Sequence, residues 1–175
     1  MMDAIRKDQT PNFYFMHYEP ATWSIRSLLL IPHFAFPPSA IIQRKPLSAT
    51  ARRAGWIGCN ISLSRIPADA RISVINEKQV TPAEEVRSQY HKIKPIGEIK
   101  AKERGWTLDV LNAIRRLGKT EFTTNDAYAF TRELEALHPS NRHIRDKIRQ
   151  QLQVLRDAGL LLHLDRGRWR IPQPS

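Results

Sequence analysis

Two short stretches hold the side chains best suited to chemistry. In "TARRAGWIGCNI", residues 50–61, Arg52 and Arg53 stand just ahead of Trp56, and Gly55 and Gly58 free the backbone around the ring. Arginines that hold phosphates beside a flat indole let a protein reach a base, or a methyl group on a base, by stacking and apolar contact. The ring also has a plain alternative, because tryptophan more often sits in or beside a core. The second stretch, "RHIRDKIRQQLQVLRD", spaces Arg142, Arg145, Arg149 and Arg156 three, four and seven apart, so on a helix they share one ridge. Arg142, His143 and Arg145 fall in its first turn, where backbone donors and the helix dipole favour phosphate and where reading helices meet base edges. If Asp146 and Asp157 pair with these arginines, the ridge is only a solvated face. Farther on, Arg166 and Arg168 flank Gly167, a tip that can lie along a phosphate backbone or in a minor groove.

Positioning these groups takes two units of different character. Nine of the 12 prolines fall at or before Pro95, while helix-period patterns gather after Arg104. The division expected is therefore a front unit over residues 1–97, a charged linker over 98–105 within "KIKPIGEIKAKERG", and a back unit over 106–175. In the front unit "FYFMHY", "SIRSLLLIP", "AIIQRKPL", "CNISL" and "ARISVI" read as strands. "TPAEEVRSQYHK" then reads as a helix with Thr81 and Glu84 as capping box and Pro82 at its first position. In the back unit, Thr107 is expected to cap a helix that buries Leu108, Leu111, Ile114 and Leu117 and stops at Gly118. Thr123 and Asp126 open a second helix with Ala127, Phe130, Leu134 and Leu137 inward. A third, over residues 142–158, is capped by Ser140 or Asn141 and buries Ile144, Ile148, Leu152 and Leu155. "LLHLDRGRWRI" closes the chain as a β-hairpin. Three helices and a hairpin describe a winged helix-turn-helix, in which one helix enters the major groove. The overall class is α+β: a mixed α/β front part followed by this winged helix.

A formal charge of +11, from 28 Lys and Arg against 17 Asp and Glu, calls for a polyanion. Its spread along the chain favours nucleic acid over a membrane surface. The longest apolar run, residues 28–31, is far short of a membrane span, and the first residues have no apolar signal core. A single cysteine, Cys59, supports neither a disulfide framework nor a cysteine zinc site and suits a reducing cytoplasm. Catalytic patterns are poor. "GEIK" with Asp69 upstream imitates the carboxylate and lysine set with which nucleases hold magnesium, but Glu98 lies in the expected linker, away from converging strands. No phosphate-cradling glycine loop, nucleophile elbow or histidine ligand spacing is present.

"IIQRKPLSATARRAGWIGCNI" and "KIRQQLQVLRDAGLL" strongly resemble the DpnI family of methyl-directed type II restriction endonucleases. "TPNFYFMHY", "RGWTLDVLNAI" and "RGRWR" fit in the same order, and the match is thinnest over residues 76–101. The resemblance implies a nuclease domain of the PD-(D/E)xK type followed by a winged helix, both reading G-A-T-C with N6-methyladenine in duplex DNA. It makes Trp56 the methyl-sensing aromatic, sets Arg52 and Arg53 beside the DNA, and makes the ridge from Arg142 to Arg149 part of the reading helix. It also implies that the catalytic magnesium site and a structural zinc site belong to a segment upstream of the one matched here. The expectation is then a C-terminal portion that lacks those cofactors, binds methylated duplex DNA as a monomer and does not cleave it alone. The rivals are a winged-helix transcription regulator and a protein-interaction module with incidental charge.

Overall fold

The structure is a computed structural model and describes residues 1–172. The chain opens with a short helix, α1 (Met2–Arg6), followed by β1 (Phe13–Glu19) and β2 (Ser24–Ile31). Next come β3 (Ile41–Gln43), β4 (Cys59–Ile61), β5 (Ile72–Asn76), β6 (Gln79–Val80) and α2 (Ala83–Ile93). β1, β2, β5 and β6 form one antiparallel sheet in that order, with Phe13 opposite Ile31 and Met16 opposite Leu28. Alternation along β1 turns Phe13 and Phe15 toward the core, where Phe13 meets Phe36 edge-on at 5.0 Å between centroids. Tyr14 and Met16 face outward and are exposed. α2 lies on the inner side: Gln89 Oε1 accepts from the Ser73 amide at 3.3 Å, and Tyr90 meets Phe34. Ile31, Ile66, Ile72, Ile93 and Ile96 are fully buried there, each worth roughly 1.5–3 kcal/mol of transfer free energy. β3 and β4 pair separately, Gln43 opposite Cys59, so residues 44–58 leave a two-stranded sheet and return to it.

The five expected strands are all present. In the front unit α1 and the two-residue β6 were not legible. The expected capping box at Thr81 is not formed: Pro82 occupies the N-cap and no side chain caps α2. Proline fixes its own φ and disfavours the helical region for the residue before it, so Thr81 stays outside the helix.

The back unit consists of α3 (Ala101–Arg115), β7 (Glu121–Thr123), α4 (Thr124–Tyr128), α5 (Thr131–Leu137), α6 (Ile144–Asp157), β8 (Leu162–Asp165) and β9 (Arg168–Arg170). Leu108, Leu111 and Ile114 of α3 and Ile148, Leu152 and Leu155 of α6 are fully buried, so the expected stripes form the core. β7 joins the hairpin in the order β7-β9-β8, the wing. Gly167 turns the hairpin with φ +77°, and the indole N–H of buried Trp169 donates to Thr124 Oγ1 at 3.0 Å. The last three residues of the expected back unit, 173–175, lie outside the described residues.

Four expectations are corrected here. Residues 98–105 are not a free linker: they end a 3-10 turn and begin α3, with Arg104 and Gly105 buried. Thr107 therefore sits inside α3 and caps nothing; its buried hydroxyl donates to Gln151 Oε1 at 2.6 Å. The single helix expected after Thr123 breaks into α4 and α5 around Ala129 and Phe130. The N-cap of α6 is His143, with Asn141 Oδ1 accepting from the His143 amide at 2.7 Å.

Thr123 does form its capping box with Asp126. Thr123→Ala is expected to cost about 1 kcal/mol, measured by urea unfolding. Hydrogen bonds from Lys119 and Thr123 hold the Asp126 carboxyl well below its ordinary 3.8, and that from Arg104 lowers Asp8. Lowered folded-state values mean stability that is complete above pH 3.8 and lost as pH falls toward them. The thermal midpoint should thus drop below about pH 4, and less steeply in Asp126→Asn; an equal slope in that variant counts against the cap.

Candidate nucleic-acid interface

The excursion between β3 and β4 is drawn together at its neck and along its length. The Arg44 amide donates to Gly58 O at 2.9 Å, the Leu47 amide to Trp56 O at 2.9 Å and the Gly55 amide to Leu47 O at 3.1 Å. Gly55 adopts φ +77°, which turns the chain back into Trp56. The indole of Trp56 is 48% exposed, which removes the core alternative. It lies over Gly58, where an added Cβ would stand 2.9 Å from the ring, and the Arg53 guanidinium is 5.4 Å from its centroid. Leu47 and Ile57 are exposed beside it in the loop. Arg44, Lys45, Arg52 and Arg53 are exposed, and among the described residues none is ion-paired. Arg44 and Lys45 were not singled out from sequence. Their signal was present, since no Asp or Glu occurs from residue 20 to residue 68.

On α6 the buried stripe fixes which face is free. Arg142, His143, Arg145 and Arg149 are all exposed at its N-terminal half. The Arg145 guanidinium sits 5.1 Å from the Tyr128 ring centroid, which braces it. Arg149 is bound by Asp146 three residues earlier, and Arg156 by Asp157 at the far end of the helix. The expected ridge is thus shorter than its spacing suggested, with Arg142 and Arg145 as its members that have no acidic partner among the described residues. Exposed pairs of this kind contribute only ~0–1 kcal/mol, so a phosphate can displace Asp146. Tyr128 and Lys147 complete this surface and were not identified from sequence.

At the wing, Arg166 is exposed and among the described residues has no acidic partner. Arg168 instead pairs with Asp165 at 3.0 Å and Glu121 at 3.2 Å, tying β9 to β7 and β8. The Glu121 carboxyl is held below its ordinary value chiefly by the hydrogen bond from Arg170. Arg168 is therefore a brace of the wing sheet, and Arg166 is the cation its tip presents.

The residues at hand do not fit the magnesium or zinc implied by the resemblance. Both carboxylate oxygens of Asp69 accept from Arg115, at 2.7 Å each. Cys59 is an exposed single thiol. Among the described residues no three His, Cys, Asp or Glu side chains come together in a metal-binding group. No helix among them is long and apolar enough to cross a membrane.

Two family profiles match the chain. One, described as the Dam-replacing family and named DpnI, covers residues 1–99; the other, the Dam-replacing HTH domain, covers residues 102–171. The first ends and the second begins where the 3-10 turn meets α3, so the loop with Trp56 falls in one and α3 to β9 in the other. With an α+β front unit and a helix-turn-helix at its back, matched in that order over nearly its whole length, the chain belongs to the DpnI, or Dam-replacing, family.

Proposed function

We propose that this chain binds duplex DNA carrying N6-methyladenine in G-A-T-C, as part of a methyl-directed restriction endonuclease. The observation that carries the reading is the half-exposed Trp56 indole, held on a loop whose four cations have no acidic partner among the described residues. Arg52 and Arg53, with Arg44 and Lys45, would hold phosphates while the ring meets the methyl group. In the back unit α6 would enter the major groove, with His143 toward the base edges, Arg142 and Arg145 on the flanking phosphates and Arg166 on the backbone. Arg149 would exchange Asp146 for a phosphate. Residues 1–97 and 106–175 are the two DNA-reading units in this proposal, joined through residues 98–105. The protein acts as a monomer in the cytoplasm, and magnesium-dependent hydrolysis is not assigned to its residues.

Titrating fluorescent duplexes at several salt concentrations tests the ridge. Each phosphate contact removed should lower the slope of log K against log salt by about 0.9. The double variant Arg142→Ala, Arg145→Ala should therefore bind more weakly at low salt and lose nearly two units of slope. Unchanged binding across salt would make the ridge a solvated face.

A further inference from the structure

A groove of about 500 Å³ opens at the start of α6, lined by Trp106, Ser140, Asn141, Arg142, His143 and Lys147. One of its walls is held unusually firmly. Trp106 comes from α3, and its ring stacks on His138 with centroids 3.7 Å apart and planes 15° from parallel. His138 Nε2 in turn lies 2.8 Å from Asp109 Oδ2. The Asp109 side chain is 2% exposed, and its other oxygen accepts from Ser39 Oγ in the front unit. A flat apolar face is thereby fixed in place before any ligand arrives.

Facing it are donors with little else to do. Among the described residues Lys147 has no acidic partner and touches only Gln150 Oε1, at 2.8 Å, while Arg142 has no side-chain hydrogen bond. Asp146, the nearest acid on α6, is taken up by Arg149. Asn141 Oδ1, an acceptor that a base edge could have used, is spent on the His143 amide. The groove therefore offers one apolar plane and an excess of cationic donors. That combination suits an anion with an apolar body, such as a sugar–phosphate.

We propose that this groove seats one deoxyribose–phosphate of the bound duplex, with the sugar packed on the Trp106 indole and the phosphate held by Lys147 and Arg142. The assignment rests on the DNA-binding reading above. It makes Trp106 a DNA-contacting residue and His138 and Asp109 the residues that position it. Because the seat touches backbone alone, it adds affinity and fixes the register of α6 without discriminating methylated from unmethylated sites.

Ethylation interference on a methylated G-A-T-C duplex tests this. With the wild-type chain, ethylating any contacted phosphate should block binding. In Lys147→Gln one of those positions should drop out of the pattern while the rest remain. Affinity should fall roughly five- to tenfold, the salt slope should flatten by about one unit, and the ratio of methylated to unmethylated binding should not move. Trp106→Leu should weaken the interference at the same phosphate, and Trp106→Phe, which keeps a flat ring, should largely restore it. Lys147→Gln lies at the surface and leaves the fold intact, so its result stands even if Trp106→Leu unfolds. A Lys147→Gln pattern identical to wild type overturns the seat alone. A wild-type chain that shows no interference at any phosphate overturns the DNA-binding reading with it.

Discussion

Trp56→Ala should bring binding of methylated and unmethylated G-A-T-C duplexes to nearly equal affinity. Each methyl group buried against the indole is worth about 0.8 kcal/mol, roughly fourfold in affinity. The two methyls of the palindrome together make a preference on the order of tenfold. The ring is 48% exposed and rests on Gly58, so its removal opens no cavity and the fold should survive. Gly58→Ala offers a second approach, because its added Cβ would meet the ring at 2.9 Å and push the indole aside without deleting it. That variant should lose part of the preference while total binding at low salt, carried by the arginines, changes little. If Trp56→Ala retains the wild-type ratio, the methyl is sensed elsewhere.

Arg104→Ala is expected to be the most destabilising single change. The guanidinium is 6% exposed, and it donates to Asp8 at 2.6 Å and to the carbonyls of Gly97 and Ile99 at 2.9 and 2.7 Å. It ties α1 and the 3-10 turn to the first turns of α3. Removing it leaves two carbonyls and one carboxylate without their donor at a site where the guanidinium is only 6% exposed. Loss of one partner of a buried pair costs about 3–5 kcal/mol, and the 40% exposure of Asp8 moves the expectation to the lower end, about 3 kcal/mol. For a chain of this length that lowers the thermal midpoint by about 10 °C. Asp8→Asn keeps the guanidinium and both carbonyl contacts, so it should cost about 1 kcal/mol. Equal costs for the two variants would mean that the ion pair matters more than the carbonyls.

What the sequence made legible was set by periodicity. The stripes of α3 and α6 repeat at helical spacing over several turns, so their inward faces were identified residue by residue, whereas β1 was legible only as a strand and its alternation breaks at the bulge between His17 and Tyr18. Helix ends were less legible, because Thr107 and Thr81 are good caps by type and yet lie in contexts that overrule them: six helical residues precede Thr107, and proline follows Thr81. β7 was missed because three residues, Glu121 to Thr123, carry no period at all and become a strand only by pairing with β9. At the candidate site, the loop with Trp56 was identified from composition, and its exposure needed coordinates. Spacing placed Arg149 and Arg168 correctly but could not show that Asp146 and Glu121 already hold them. Trp106 was not singled out from sequence, and only the groove it lines marks it as a candidate.

The central claim is tested most directly by comparing the wild-type chain on three otherwise identical duplexes: fully methylated G-A-T-C, unmethylated G-A-T-C, and a scrambled site with the same number of N6-methyladenines. The account predicts that the first binds at least about tenfold more tightly than either of the others at near-physiological salt. Equal affinity for all three, or tighter binding to the unmethylated site, would contradict it.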